Sequence, residues 1–247
     1  MKVVRLILII ISLLLIWDLI VWLFKLPSYI LPTPWSVIHT WIVQAPLIWS
    51  QTKPTLLETI LGLFFGALSG IIGALILISF KPARLWLLPI LVISQAIPTF
   101  AIAPLLVVWF GYGEASKVIT AMIMIFFPVT TAFYDGLRRT NLEWLALAKT
   151  MDASRFTTLW QIRIPSALPA LASGLRVATA IAPIGAIIGE WVGSSHGLGF
   201  LMLNANGRME INLMFAALFT ITLITLILYY TVDKLLHLAI PWQIERS

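Results

Sequence analysis

The sequence predicts an all-α, polytopic membrane protein with about six transmembrane helices. Its mean hydropathy is +1.00 and only 11% of its residues are charged, values far outside the range of soluble domains. Apolar runs long enough to cross a hydrocarbon core of about 30 Å recur along the chain, and short segments between them hold most of the charge. We therefore interpret residues 1–247 as a single transmembrane domain.

The first predicted span covers residues 6–24. Lys2 and Arg5 precede this apolar run and no small-x-small cleavage site follows it, so we interpret it as a retained helix rather than a signal peptide. Asp18 lies inside the run and is a candidate proton or ligand site. Its position near the outer end favours the simpler alternative, contact with interfacial water.

The second predicted span, residues 55–80, carries a ridge of small residues. Gly62, Gly66 and Gly70 are four residues apart and therefore share one helix face. Such a ridge lets another helix approach closely, so it predicts helix packing and says little about substrate.

Prolines interrupt the third predicted span, residues 85–110. An internal proline such as Pro98 removes a backbone hydrogen bond, and the freed carbonyl is costly in hydrocarbon unless it faces protein or a wet cavity. Polar residues flank Pro98, namely Ser94, Gln95 and Thr99. Two interpretations stay open: these four residues line a translocation path, or they belong to a kinked helix that only packs.

Three further spans are predicted, at residues 117–134, 171–192 and 213–240. Pro183 is expected to break the middle of the fifth span, and Glu190 to lie near its outer end. An ionisable residue deep in the bilayer costs about 2.5–3.5 kcal/mol, which makes Glu190 a candidate path residue together with Pro183. An interfacial position for Glu190, beside Trp191, is the favoured alternative.

Residues 141–169 connect the fourth and fifth spans and hold several charges in a chain that has few. Apolar residues at helical spacing predict a first short helix here. A second helix is expected to start near Asp152 or Ser154 as N-cap and to end before Pro165.

The distribution of Lys and Arg predicts the orientation. Twelve of them fall on the side of the 141–169 loop, including Lys2, Arg5 and Arg246, and four, including Lys117, fall on the opposite side. The positive-inside rule therefore places the loop and both chain termini in the cytoplasm.

The loop resembles a motif of known transporters. The order Ala148, Asp152, Ile162 and then Pro165 is similar to the EAA loop of ABC importer permeases, although the Glu of that pattern is replaced by Ala146 and its Gly by Asp152. The resemblance implies a set of residues that couple to an ATPase: Ala146, Ala148, Asp152, Ala153, Ser154, Arg155, Ile162 and Pro165. Loss of the glycine puts the details of the turn in doubt, since Asp adopts a left-handed conformation less readily.

The flanking segments extend the resemblance to permeases of the nitrate, sulfonate and taurine uptake group. Three segments look most like those of permeases for the thiamine pyrimidine precursor, namely SQAIPTFAIAPLL, LRVATAIAPIGAIIGEWVG and GLGFLMLNANGRM. The resemblance implies a type I ABC importer permease (MetI-like) architecture in a bacterial inner membrane. It further implies three partners: a cytoplasmic ABC ATPase, an extracytoplasmic substrate-binding protein, and a second permease copy that makes a homodimer.

The implied cargo is a small polar solute, with hydroxymethylpyrimidine as the best candidate and nitrate, a sulfonate or taurine as the alternative. No GxxxxGK[ST] sequence occurs, so ATP is expected on the partner ATPase and no cofactor on this chain. HExxH and GxSxG are also absent, which argues against an enzyme.

Metal and nucleic-acid binding are not expected either. The chain has no cysteine, its three histidines lack ligand spacing, and its basic residues are dispersed among apolar spans. The competing hypothesis from another class is an ion-coupled secondary transporter that uses Asp18, Glu58 or Glu190. Such transporters commonly show two related halves, and the proline-broken third span has no evident counterpart here.

Overall fold

The computed structural model describes residues 2–242, without the side chains of residues 2–7 and 10. All regular structure in this part of the chain is helical, which confirms the all-α class. Its α-helices are α1 (Lys2–Leu23), α2 (Pro34–Val43), α3 (Ala45–Ser79), α4 (Lys81–Ser94), α5 (Thr99–Phe110), α6 (Glu114–Arg138), α7 (Leu142–Thr150), α8 (Arg155–Thr158), α9 (Ile164–Gly193), α10 (Leu198–Gly207) and α11 (Ile211–Ala239). A π-helical turn, Leu159–Arg163, joins α8 to α9.

Four helical segments are long and apolar enough to cross a membrane: α3, α6, the continuous segment Arg155–Gly193, and α11. The helices α4 and α5 form a fifth candidate, bent by 103° at their junction. Helix α1 lies where the first span was predicted and contributes the apolar stretch Ile11–Leu23. The polytopic architecture of about six helices is therefore confirmed. Some residues in the predicted charge count, such as Arg246 and the side chains of Lys2 and Arg5, lie outside the described part.

The predicted glycine ridge packs α3 against α6. A Cβ atom built on Gly62 would lie 2.5 Å from the Ala121 Cβ, and one on Gly66 would lie 2.7 Å from the Ile125 Cβ. One turn further on, the Thr130 hydroxyl donates to the Gly70 carbonyl at 3.2 Å. Because such contacts leave no room for a side chain, the two helix backbones are in close contact along this face.

Helix α6 is the centre of the fold, since α9 also packs closely on it. A Cβ on Gly174 would lie 2.6 Å from the Ala132 Cβ, and one on Gly136 would lie 2.7 Å from the Ala170 Cβ. The buried residues of this core come from α3, α6 and α9 and include Ile125, Val129, Phe133, Leu137 and Ala178. A core of three mutually packed helices, α3, α6 and α9, thus holds the remaining helices in place.

A second, smaller core joins α2, α10 and α11. It contains Leu198, Leu213 and Ala217, and the Trp41 indole N–H donates to the Thr220 hydroxyl at 3.0 Å. The connection between the predicted fifth and sixth spans therefore contains a short packed helix, α10.

Two predicted helix boundaries are wrong. The helix that begins after Ser154 does not end before Pro165, because the Ile164 N–H donates to the Leu159 carbonyl five residues back and the helix widens there instead of stopping. Pro183 does not break α9 and is buried within it. Proline has a helical φ and removes only one N–H, so packing against α6 is sufficient to keep the helix continuous.

Candidate functional site

The junction of α4 and α5 is broken as the prolines predict. The Ala96 N–H donates to the Ile93 carbonyl at 2.9 Å, a bond over three residues instead of four, and Pro98 provides no N–H before α5 begins. The polar residues Ser94, Gln95 and Thr99 flank this break. The chain thus interrupts its apolar helix where it carries groups that can bind water or solute.

A cavity of about 770 Å³ lies against the break and extends along α6 and α9. Apolar and aromatic side chains, among them Met122, Phe126 and Phe127, form most of its wall. Its neutral polar groups come from Ser94, Gln95, Thr99, Thr131 and Ser173, and Asp135 is the ionisable residue of the lining. The volume and this mixture of apolar wall and few polar groups are typical of a small-molecule site.

The structure brings together only part of the predicted path. Ser94, Gln95 and Thr99 share the cavity lining, and Pro98 is the N-cap of α5 beside them. Pro183 and Glu190 are not among the lining residues. On α9 the cavity is lined instead by Ser173, Val177 and Ile181, which lie nearer the 141–169 loop.

Glu190 belongs to a buried polar cluster at the end of the bundle opposite that loop. Its side chain is 1% exposed and so does not face water, and its carboxylate accepts hydrogen bonds from the Thr55 hydroxyl and the Gly199 N–H. The Thr55 hydroxyl in turn accepts from the Leu198 N–H at 2.8 Å. A carboxylate at the start of α10 is favourable because the first N–H groups of a helix have no partner within it.

This arrangement explains the glycines on both sides of Leu198. Gly197 has φ +109°, and a Cβ there would overlap the Glu190 carboxyl group. A Cβ on Gly199 would lie 2.8 Å from the Glu190 Oε2. The Gly-x-Gly sequence therefore makes room for the carboxylate.

Lys117 is the cation of the same region and is fully buried. Its Nζ lies 2.9 Å from the Glu58 Oε1, 3.4 Å from the Glu114 Oε1 and 3.4 Å from the His196 Nε2. The sequence-based count had treated Lys117 as a charge outside the membrane. In the structure it joins α3 and the first turn of α6 to the segment that follows α9.

Glu58, Glu114 and His196 have the residue types of a metal site, with ligand atoms within 4.8 Å of one another. The Lys117 ammonium lies among these atoms and supplies the positive charge that a metal ion would bring. The cluster is therefore explained as an ion-pair network. Glu58, one of the residues considered for ion coupling, is paired within it, whereas Asp18 is exposed on α1.

The 141–169 loop forms two helices separated by a tight turn. The Asn141 side chain caps α7 by accepting from the Glu143 N–H at 2.9 Å, and the Ser154 hydroxyl caps α8 by accepting from the Thr157 N–H at 3.0 Å. The N-cap at Ser154 matches one of the two predicted positions. Between the helices Asp152 has φ +52°, so the turn keeps a left-handed residue where the resembling motif has glycine.

The outer face of this loop is apolar. Large exposed side chains cover it, namely Leu142, Trp144, Leu147, Met151, Phe156 and Trp160. A second cavity, of about 420 Å³, lies between α7 and the π-helical turn that leads into α9. It is lined by three of the predicted coupling residues, Ala148, Ile162 and Pro165. Of the other predicted coupling residues, Asp152, Ala153 and Ser154 form the turn, and Ala146 and Arg155 are exposed beside it. Large apolar side chains exposed side by side are typical of a protein interaction site.

Membrane-crossing helices, a cavity beside a broken span and an exposed apolar loop define the class of the protein as a membrane transport subunit. The chain belongs to the family described as binding-protein-dependent transport system inner membrane component, whose model matches residues 62–242. It is thus an ABC importer permease subunit of a multi-pass membrane family, and a transport protein rather than an enzyme.

Several relatives cover most of the chain. A probable ABC transporter permease of Haemophilus influenzae is 55% identical over 91% of this chain and 92% of its own length. The formylaminopyrimidine transport permease ThiX of Halalkalibacterium halodurans is 33% identical over 94% of this chain and 92% of its own. The riboflavin transport permease RibX of Chloroflexus aurantiacus is 35% identical over 94% and 87%.

The fold is shared with solved transporters. A chain of the inward-facing MetNI methionine ABC transporter superposes with a TM-score of 0.64 at 18% identity, covering 84% of this chain and 97% of that one. The predicted MetI-like architecture is confirmed at the level of the fold.

Sequence reasoning missed two groups of residues. It did not identify Glu114 and Lys117 as partners, although their spacing of three residues puts them on one helix face. It also missed the wall that α6 gives to the cavity, including Thr131 and Asp135. Their spacing of four residues was a usable signal, but only the tertiary packing shows which face of α6 lines a cavity.

Proposed function

We propose that this chain forms the transmembrane path of an ATP-driven importer for a small nitrogen heterocycle of the thiamine pyrimidine-precursor class, with hydroxymethylpyrimidine as the best candidate. The observation that carries the proposal is the cavity of about 770 Å³, whose hydrogen-bonding groups are mainly neutral hydroxyls and the Gln95 amide. The Gln95 amide can donate to ring nitrogens of the cargo. The hydroxyls of Ser94, Thr131 and Ser173 donate to backbone carbonyls and can accept from amino and hydroxyl groups of the cargo. Uncharged contacts also release a cargo readily, as a transport path requires.

The aromatic wall of the cavity supports the same class of cargo. Phe126 and Phe127 line it on α6, and a flat ring can pack against such side chains in stacked or edge-to-face geometry. The names of two relatives, for formylaminopyrimidine and riboflavin, also point to nitrogen heterocycles.

The 141–169 loop is proposed as the docking site of the ATPase, which binds and hydrolyses the ATP. The exposed apolar side chains around Trp144 and Phe156 would be covered by that subunit, and Lys149 and Arg155 would lie at the rim. This assignment places the loop and both chain termini in the cytoplasm, in agreement with the Lys and Arg count.

The complete importer is proposed to contain two copies of this chain, two ATPase subunits and a substrate-binding protein on the opposite side of the membrane. About six spans supply half of a path of the size that family resemblance implies. The cavity also supports a second copy, because Ser94, Gln95 and Ser173 are exposed in the single chain.

The test is uptake by the reconstituted importer. Proteoliposomes with this permease, its ATPase and its binding protein should accumulate radiolabelled hydroxymethylpyrimidine when ATP is supplied to the ATPase. Gln95→Leu should reduce uptake, whereas the exposed Ser50→Ala, outside the cavity, should not. Uptake of taurine or a sulfonate without the pyrimidine would overturn the cargo, and uptake driven by an ion gradient without ATP would overturn the mechanism.

A further inference from the structure

Asp135 is the one ionisable side chain among the described residues that line the large cavity. It lies on the same face of α6 as Thr131 and Pro128, which also line the cavity at helical spacing. The carboxylate is exposed, and among the described residues it has no ion-pair partner within 4 Å. Its charge is therefore not neutralised by a direct contact.

The nearest cations in sequence are engaged elsewhere or absent from the lining. The Arg138 guanidinium lies over the Tyr134 ring, 5.6 Å from its centroid. Arg176 follows Ser173 by one turn on α9, but it forms an ion pair with Asp233 of α11. Among the described residues no Lys, Arg or His lines the cavity, so its fixed charge is negative.

We propose that Asp135 selects cargo by charge: its carboxylate makes the cavity favourable for neutral and cationic solutes and unfavourable for anions. The inference rests on the proposed role of the cavity as the transport path. A sphere of 770 Å³ is about 11 Å across, close to the Debye length of about 10 Å at 0.1 M salt, so the charge acts throughout the cavity. Apolar walls on α4 and α6 strengthen this field because they lower the local dielectric constant.

The absence of cysteine from the chain allows a direct measurement. A single cysteine is introduced into the cavity, as Ser173→Cys and separately as Ser94→Cys, in the purified transporter complex. Each is reacted with cationic trimethylammonioethyl methanethiosulfonate and with anionic sulfonatoethyl methanethiosulfonate, and mass spectrometry of this chain follows the reaction. Ser50→Cys, exposed on α3 and outside the cavity lining, provides the reference thiol.

Asp135→Asn should lower the ratio of cationic to anionic labelling rates by about tenfold at both cavity cysteines, and leave the ratio at Ser50→Cys unchanged. The matched variant Asp152→Asn removes the same charge from the 141–169 loop and should change none of the ratios. In 1 M salt, where the Debye length is about 3 Å, the bias of the Asp135 protein should largely disappear.

A labelling ratio that Asp135→Asn leaves unchanged at both cavity cysteines would overturn the proposal. So would an equal change at the Ser50→Cys reference. This readout does not depend on which solute is carried. A charge bias without pyrimidine uptake would leave the Asp135 inference standing and reject the proposed cargo. Pyrimidine uptake without a charge bias would support the proposed cargo and reject the Asp135 inference.

Discussion

At the residue scale, Asp152 shows how one position can depart from a motif and still keep its geometry. The left-handed conformation costs most residues about 1–2 kcal/mol, and glycine adopts it freely. Asp is tolerated there because a short polar side chain can bond locally, and the Ala153 N–H still donates to the Ala148 carbonyl at 2.9 Å. The backbone of the turn is thus retained with a side chain added at its exposed tip.

Replacing this aspartate tests the strain directly. Asp152→Gly should stabilise the turn by about 1 kcal/mol, and Asp152→Val should destabilise it by at least as much, because a β-branched side chain is poorly accommodated at φ +52°. Hydrogen exchange at the Ala153 amide should slow in the first variant and quicken in the second. Thr150→Gly is the control, since glycine at an ordinary helical position should quicken exchange. Equal exchange in both Asp152 variants would contradict the argument.

Of the residues in the ion-pair network, Lys117 is the one whose loss should lower the free energy of unfolding most. It is fully buried beside Glu58, so Lys117→Met leaves a buried carboxylate without its counter-charge, which costs about 3–5 kcal/mol. The double variant Lys117→Met with Glu58→Gln should recover part of this loss, because it removes both charges. Denaturant unfolding of the detergent-solubilised protein measures the cycle. Strictly additive effects would show that the two residues do not interact.

At the element scale, the α3 ridge fixes how closely two spans approach. Gly66→Leu would place a side chain where even a Cβ lies 2.7 Å from the Ile125 Cβ, so α3 and α6 must separate. We expect a loss of about 1–3 kcal/mol in unfolding free energy for Gly66→Leu. Gly207→Leu is the matched control, because no atom lies within 4 Å of a Cβ there. Similar losses in the two variants would argue against close packing at the ridge.

The turn between α7 and α8 is the element on which the docking proposal depends. Ala153→Glu adds a charged side chain at this turn, next to the exposed apolar surface around Met151 and Phe156. We expect transport to be abolished and ATP hydrolysis to be uncoupled, with membrane insertion unchanged. Ser50→Glu, at the opposite end of the bundle, is the control. Normal transport by Ala153→Glu would reject the docking site.

Some elements were predictable because their signals are local. The glycine ridge on α3, the break at Pro98 and the N-cap at Ser154 each follow from residue type and spacing. The continuity of the helix at Pro183 and the burial of Glu190 were not predictable, because both depend on neighbouring residues. Packing kept the helix continuous through Pro183, and hydrogen bonds from Thr55 and Gly199 compensated the burial of Glu190. The turn at Asp152 was left in doubt from sequence because the motif residue is absent.

At the scale of the whole molecule, the exposure of the cavity predicts that one chain does not complete it. Native mass spectrometry of the detergent-extracted importer should find two copies of this chain with two ATPase subunits. Single-cysteine variants at Ile97 or Phe100, both exposed beside the cavity, should form a disulfide between the two copies. A complex that contains one copy of the permease, and no cross-link in either variant, would contradict the homodimer.

The continuous helix from Arg155 to Gly193 has a mechanical consequence. At about 1.5 Å per residue its 39 residues extend about 58 Å, from the exposed apolar face of the loop, past the cavity wall at Ser173, to the turn that contains Glu190. A tilt of about 5° at the loop end would therefore move the other end by about 5 Å, which is more than the length of the hydrogen bonds that hold α10. Through this helix, a small movement of the ATPase against the loop would loosen the packing of α10 at the far end of the bundle.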